Sequence, residues 1–543
     1  MPEPENMALA AEGGGGFVMP ITGAGKPFAM RAFPSLPAAL LAARTKAGGK
    51  AEMCEDPERA PLTYDRLVLG ALVLGRAMRS LPDAGGRIGV LLPNVNGMLV
   101  TLFGLWFEGR VPVMLNFTAG LKNLRSAART AELRTIVTSR RFIETAKLDE
   151  IVSGLSEMCR IVYLEDVRKG ITGLDKAIGL ARSLFAPLIA ARATSGADDP
   201  AVVLFTSGSE GEPKGVVLSH GNLIANAQQV HAYGADFFGA REIVFNPLPV
   251  FHSFGLTAGT LFPLLAGFKI VFYPSPLHFK QVPKLIGETG ATILLATDTF
   301  LTGYIRAAEA EDLASLRLVV AGAERVKEET RRLWSKLPAA IVEGYGCTEC
   351  GPVLSCNHPA DNRPGSVGPA LPGVSWRLEP VEGIEGAGRL HAEGPNVMLG
   401  YMLASEPGKV QRRASPAHDT GDIVAIGEGG EIIIRGRAKR FAKIGGEMVS
   451  LASIEALAAA LWPGATHVAV SLPDPKKGEQ VVLVTDRPDA DRAALLAHAR
   501  GDGVSELFIP RAVLVVQNVP VLGSGKVDYV TTGELARAMR SMI

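Results

Sequence analysis

Short apolar runs separated by amphipathic stretches organise the chain from about residue 87 onward. Eight runs have the length of strands, at 87–92, 135–138, 160–164, 201–205, 243–245, 269–273, 291–295 and 316–321, and helical spacing fills the intervals between them. Strands that alternate with helices bury both faces of a sheet, so the pattern predicts a multi-layered α/β architecture. After Gly436 the rhythm changes. A helix over 453–461, strands at 467–472 and 480–485, a helix near 490–500 and a strand near 512–517 predict a small α+β unit of about one hundred residues. At 543 residues the chain exceeds one ordinary hydrophobic core. We expect a tail over 1–30, a large α/β domain over 31–436 and a small α+β domain over 437–543.

Two apolar stretches need a decision. Residues 243–268 are nearly uncharged and long enough to suggest a transmembrane helix, but Pro247, Pro249 and Pro263 interrupt them and His252, Gly255 and Gly259 lie within. They read as buried strand and helix around an apolar pocket, with no membrane span. Residues 177–193 carry Leu180, Leu184, Phe185, Leu188 and Ile189 beside Arg182 and Arg192. Such a segment either lies on a membrane surface, giving peripheral contact, or is a linker or domain-packing helix broken near Pro187; we take the second reading. The first 30 residues hold Glu3, Glu5, Glu12 and a run of glycines over 13–16 without an early basic cluster, which predicts a flexible tail and no signal peptide.

Composition changes this picture little. Hydrophobic residues make up 47% and charged residues 20%, as in soluble globular proteins. Lys and Arg total 56 against 55 for Asp and Glu, so no global field selects nucleic acid. Five cysteines, an odd number, predict no disulfide framework and a reducing, cytoplasmic setting. Cys347, Cys350, Cys356 and His358 offer half a zinc site, but the gaps match no common finger and no second CxxC exists, so structural zinc is not expected.

Candidate chemistry lies in five short stretches. The loop in LFTSGSEGEPKGVVLSH (204–220) follows an apolar strand, and a helix over about 219–231 comes after it. Its N–H groups and hydroxyls suit phosphate oxygens and its lysine adds a point charge, while a polar hairpin needs many of the same residues. It is not a Walker loop, since Pro213 and Gly215 stand where that pattern requires glycine and serine or threonine. In VEGYGCTECGPV (342–353), Glu349 is a turn carboxylate or a magnesium ligand. In HDTGDIV (418–424), Asp422 caps a turn or accepts both hydroxyls of a ribose. The other two are IIIRGRAKRFAKIGGEMVS (432–450) and VPVLGSGKVD (519–528), the latter carrying Lys526.

The order and separation of these stretches resemble the adenylate-forming superfamily of acyl-CoA synthetases, luciferase-like enzymes and peptide-synthetase adenylation domains, over roughly Leu36 to the C-terminus. With NPLPVFHSFGLTAG (246–259), YPSPLHF (273–279) and VVAGAE (319–324), the chain is similar to the acyl-acyl-carrier-protein synthetase half of bacterial bifunctional lysophospholipid acyltransferase/synthetase proteins. No domain's worth of sequence precedes Leu36, so a lysophospholipid acyltransferase is expected to be a separate partner. The resemblance implies that a fatty acid carboxylate attacks the α-phosphate of ATP, with Mg²⁺, and that a phosphopantetheine thiol of acyl carrier protein then displaces AMP. It places Thr206, Ser207, Gly208, Ser209, Gly211 and Lys214 on the β- and γ-phosphates, and Glu349 with Thr206 on Mg²⁺. Gly322, Ala323 and Glu324, with Gly344, Tyr345 and Gly346, border the adenine and the acyl carboxylate. Asp422 and Arg437 hold the ribose, and Lys526 bridges carboxylate and α-phosphate. His252 stands where acyl tunnel and thiol channel meet, Lys439 is a hinge that makes the small domain mobile, and Gly445 and Gly446 line the thiol channel.

Two other readings are a fatty acyl-CoA synthetase and a nucleotide-binding regulatory protein that has lost catalysis; the presence of Lys526, Glu349 and Thr206 argues against the latter. Arg435, Arg437, Lys439, Arg440 and Lys443 crowd into nine residues without an acid. They read as a solvated basic face or as a rim that steers an acidic carrier protein; a run this short does not predict nucleic-acid binding.

Overall fold

All eight apolar runs become strands, with ends shifted by at most two residues. The computed structural model describes residues 18–19, 29–206, 212–309, 311–382, 384–444, 447–474, 478–501, 506–521 and 527–540. Those runs form the parallel interiors of two eight-stranded sheets. In the first, Arg160–Tyr163, Thr135–Thr138, Arg87–Val90, Val111–Met114 and Pro200–Thr206 lie parallel, and Lys214–Ser219, Gly400–Met402 and Val410–Arg412 continue it antiparallel. In the second, Glu52–Glu55, Lys269–Phe272, Ile243–Asn246, Ile293–Ala296, Leu318–Ala321 and Ala340–Gly346 are parallel, with antiparallel strands at both edges. Strands covered on both faces read as continuous apolar runs, which is why Ala201, Val202 and Val203 are all fully buried.

A third, antiparallel sheet joins Val18–Met19, Ser375–Val381, Ile384–Glu393, His418–Ile426 and Ile432–Arg437. Only its entry at Asp422 was legible in the pattern. Its strands mix buried and exposed positions, so no continuous apolar run marks them. The last sheet comprises Phe441–Ile444, Glu447–Ser450, His467–Asp474, Gly478–Thr485 and Ala512–Val515. Its two core clusters draw on residues from 442 onward, including Ile454, Val482 and Ala536. The fold is thus a large multi-layered α/β unit followed by a small α+β unit.

Residues 243–268 resolve as expected into a strand, the π-helix Phe254–Leu261 and the short helix Phe262–Ala266, ended by Gly267 at φ 91°. No helix among the described residues is long and apolar enough to cross a membrane. Residues 177–193 lie in two helices, Gly173–Leu184 and Ala186–Arg192, which meet at Phe185 rather than at Pro187. Proline is tolerated in the first turn of the second helix because its missing N–H would have no partner there.

Candidate active site

A cavity of about 1860 Å³ is lined by residues of both large sheets, and three of the five stretches reach its wall, through Thr206, Glu349 and Arg437. The first is a hairpin: Thr206 ends one strand opposite Lys214, which begins the next. The antiparallel pairing that flanks the loop fits either reading of it. Ser207, Gly208, Ser209 and Gly211 lie outside the described residues. Thr206 lines the cavity, and the Lys214 ammonium stands 5.7 Å from the centre of the Tyr401 ring.

Tyr401 connects this hairpin to the second stretch. Its hydroxyl donates to Glu349 Oε1 at 2.8 Å, and burial together with that carboxylate pushes the phenol well above its ordinary range. Glu349 sits in the 3₁₀ turn Thr348–Cys350 and faces the cavity. The turn follows a strand whose last residue, Gly346, admits no side chain: a Cβ there would stand 1.8 Å from the Pro352 carbonyl oxygen. Gly344, Tyr345 and Gly346 all line the cavity, as do Gly322 and Ala323. Glu324 does not. Its Oε2 accepts the Thr299 N–H at 3.1 Å and the Thr299 hydroxyl at 2.9 Å, anchoring the helix Asp298–Ala307.

The third and fourth stretches meet at Asp422. Its Oδ1 lies 2.9 Å from Arg437 Nε across the antiparallel pair, and its Oδ2 accepts the Tyr345 hydroxyl at 2.6 Å. Burial raises the Asp422 carboxyl above the ordinary aspartate range, while Arg437 and Tyr345 pull the other way. The same burial, and the neighbouring Asp422 charge, hold Tyr345 protonated. The Asp422 carboxylate is thus buried behind the wall, while the Arg437 guanidinium and Tyr345 that it holds line the cavity.

His252 lines the cavity with its ring 4.7 Å from that of Phe251. Two asparagines build the loop that presents it, and the sequence reading passed over both. Asn94 donates to the Leu248 carbonyl at 2.7 Å and accepts the Val250 N–H at 3.1 Å. Asn246 accepts the Leu248 N–H at 3.1 Å and donates to the Gly255 carbonyl at 3.1 Å. Each asparagine follows an apolar run and adjoins proline (LLPN and VFNP), a local signal that could have marked them. The Ser253 hydroxyl reaches Thr348 Oγ1 at 3.3 Å and ties the His252 loop to the Glu349 turn.

The run of five cations separates. Arg437 pairs with Asp422, Arg440 pairs with Glu455 at 2.5 Å and lies over the Tyr529 ring at 3.9 Å, and Lys443 lies 3.3 Å from Glu382. Three of the five therefore face carboxylates instead of forming a continuous basic rim. Lys439 is the central residue of the 3₁₀ turn Ala438–Arg440, which Arg437 precedes. Lys526, Gly445 and Gly446 lie outside the described residues.

For a metal, His358 bonds Asp236 at 3.1 Å and is in no converging group among the described residues. Among the described residues, the one three-residue group able to converge on an ion is Cys347, Glu349 and His418, with ligand atoms within 4.8 Å of one another. A hydrogen bond to Cys350 and burial hold the Cys347 thiol well above the usual thiol range. The oxygens of Glu349 and Thr206, both on the cavity wall, are instead the donors a hard cation such as Mg²⁺ takes.

Comparison with known proteins agrees with this geometry. Residues 42–402 match the family of AMP-binding enzymes. The chain belongs to that family and so to the adenylate-forming superfamily. It is 26% identical over 506 residues to the long-chain-fatty-acid–CoA ligase of Bacillus subtilis, covering 86% of this chain and 88% of that one. The enzyme of the same name from Salmonella typhimurium is 30% identical over 342 residues, and that match spans 61% of each chain. The crystal structure of ATP-bound MatB from Rhodopseudomonas palustris superposes with a TM-score of 0.78 at 26% identity, covering 93% of this chain and 99% of that one.

Asp422 gives a prediction with a definite pH sign. If its ionised carboxylate accepts ribose hydroxyls, Asp422→Asn should raise the KM for ATP by about ten- to a hundredfold, the worth of a charge-assisted hydrogen bond. Because the carboxyl's pKa is raised, the wild-type KM should climb as the pH falls toward the acid side, at higher pH than an ordinary aspartate would require. Steady-state kinetics on both proteins should show this climb for the wild type and a flatter profile for Asp422→Asn.

Proposed function

We propose that the protein is an ATP-dependent, AMP-forming acid–thiol ligase that activates a medium- or long-chain fatty acid. The observation that carries this reading is one large cavity that joins the Thr206 hairpin, the Glu349 turn and Arg437 to an apolar wall containing Leu248, Phe251 and Phe300. The names of the fatty-acid–CoA ligase relatives support the same substrate class.

In the first step a carboxylate oxygen forms a bond to the α-phosphorus of ATP and the bond to pyrophosphate breaks. Catalysis here is positioning and charge neutralisation. The hairpin carrying Thr206 and Lys214 holds the β- and γ-phosphates, Asp422 and Arg437 fix the ribose, and Gly344 to Gly346 with Gly322 and Ala323 leave room for adenine and the mixed anhydride. Bound at Glu349 and Thr206, Mg²⁺ would offset phosphate charge. Lys526 neutralises charge between carboxylate and α-phosphate. In the second step a thiol sulfur bonds to the acyl carbon, the acyl C–O bond breaks, and AMP leaves with that oxygen. His252, on its asparagine-braced loop, borders the path of the thiol. We assign residues 31–436 to the large domain and 437–543 to the small one, which turns about Lys439 between the steps so that Lys526 can withdraw.

Coenzyme A is the acceptor the relatives' names support, and the pairing of Arg437, Arg440 and Lys443 with carboxylates removes much of the basic face that would favour a carrier protein. The motifs shared with acyl-carrier-protein synthetases favour the second acceptor. Incubation with ATP, Mg²⁺ and palmitate in the presence of both thiols, followed by mass analysis, decides between them. Acyl-CoA in excess is expected; acyl carrier protein as the main product would reassign the acceptor, and neither thioester would remove the ligase reading.

A further inference from the structure

The helices Gly173–Leu184 and Ala186–Arg192 follow each other with only Phe185 between them and carry their largest apolar residues outward. Leu174, Leu180, Leu184, Phe185 and Leu188 are 69, 60, 78, 58 and 57% exposed. With the exposed Ala177, Ala181 and Ala191, the stripe at 174, 177, 181, 184, 188 and 191 advances by alternate threes and fours, so one continuous face is apolar. The inner side is not what the leucines serve: there Gly179 takes the contact, its missing Cβ making room for Val73 of the helix Tyr64–Met78.

Charge around this face is one-sided. Glu165 accepts from Ser139, Asp166 pairs with Arg140, and the Asp175 carboxylate accepts the Thr172 N–H in the capping box of its helix beside Arg76, so these local acids are engaged. Arg168, Lys169, Lys176 and Arg192 are exposed and have no carboxylate partner among the described residues. A leucine face bordered by free cations is the arrangement that inserts shallowly into an anionic lipid surface.

The face also adjoins the cavity. Val73, the residue under Gly179, lines the cavity with Leu69 and Leu74 from the same helix, and so does Ile171, just ahead of the exposed stripe. Arg66 and Arg168, exposed at the surface, line this end as well.

We propose that residues 173–192 dock the protein on an anionic membrane surface and that fatty acid dissolved in the lipid enters the cavity beside Leu69, Val73 and Ile171. The docking rests on the surface alone; the entry clause rests on the fatty-acid reading above. Flotation of the full chain with vesicles of phosphatidylglycerol and phosphatidylethanolamine, against pure phosphatidylcholine, tests it. The wild type should float with the anionic vesicles and be released by salt. Leu180→Asp with Leu184→Asp and Leu188→Asp should lower partition at least tenfold, and Lys176→Glu with Arg192→Glu should lower it on anionic vesicles only. Unchanged unfolding midpoints would show that both variants fold, as expected for exposed positions. The leucine variant should also lose kcat/KM for palmitate supplied in vesicles while keeping it for octanoate in solution. Flotation of that variant like wild type, failure of the wild type to float, or a wild-type dimer that the leucine changes dissociate would each overturn the docking surface. Flotation without any fatty-acid activation would uphold the surface and remove the entry route together with the ligase reading.

Discussion

Replacing Lys526 by alanine is expected to lower fatty-acid-dependent ATP–pyrophosphate exchange by more than about a hundredfold, at least about 3 kcal/mol of transition-state stabilisation. The oxygens around phosphorus gather charge as the carboxylate attacks, and the role proposed for Lys526 is that its ammonium would offset that charge. The second step needs no such bridge, because a thiol attacking an acyl-adenylate expels AMP from carbon. Transfer from supplied acyl-adenylate to the thiol should therefore persist in Lys526→Ala. Exchange near the wild-type rate would remove Lys526 from the first step. Equal loss of both steps would point to a folding role.

The second large effect concerns stability. Glu343, one residue before the glycine-tyrosine-glycine segment, is buried and pairs with the largely buried Arg331, while its Oε1 accepts the Val326 N–H at 2.8 Å. Glu343→Ala leaves a guanidinium and a backbone N–H without their partner in a dry site, a change that costs about 3–5 kcal/mol. The urea midpoint of the large unit should fall accordingly, while an Arg331→Met/Glu343→Leu pair should recover much of the loss because neither charge is then stranded. A midpoint within about 0.5 kcal/mol of wild type for Glu343→Ala would show that water reaches the pair.

Eight strands of the two large sheets were legible because burial on both faces keeps most of their positions apolar, and Thr135–Thr138 needed no adjustment; the parallel strands Glu52–Glu55, Val111–Met114 and Ala340–Gly346 were not read. Nor was the sheet from Ser375 to Arg437, since its strands are exposed in part. Three candidates carried on short motifs, Thr206, His252 and Glu349, do line the cavity. Their supports were hidden by distance along the chain: Tyr401 reaches Glu349 across 52 residues and Asn94 reaches Leu248 across 154. The basic run from Arg435 to Lys443 misled for the same reason, because a linear cluster gives no sign of Glu455 or Glu382 waiting opposite. The exposed leucines of 173–192 show the limit from the other side. Periodicity identified the helices, but it assigns no direction to an apolar face, and here that face points outward.

The central claim is that the carboxylate attacks the α-phosphorus and leaves one of its oxygens behind. Palmitate labelled with ¹⁸O in both carboxyl oxygens, incubated with ATP, Mg²⁺ and coenzyme A, tests this in the nucleotide product. The account predicts AMP and pyrophosphate, with one ¹⁸O in the phosphate of AMP for each thioester formed. ADP with labelled inorganic phosphate would mean attack at the γ-phosphorus through an acyl phosphate, and would contradict it.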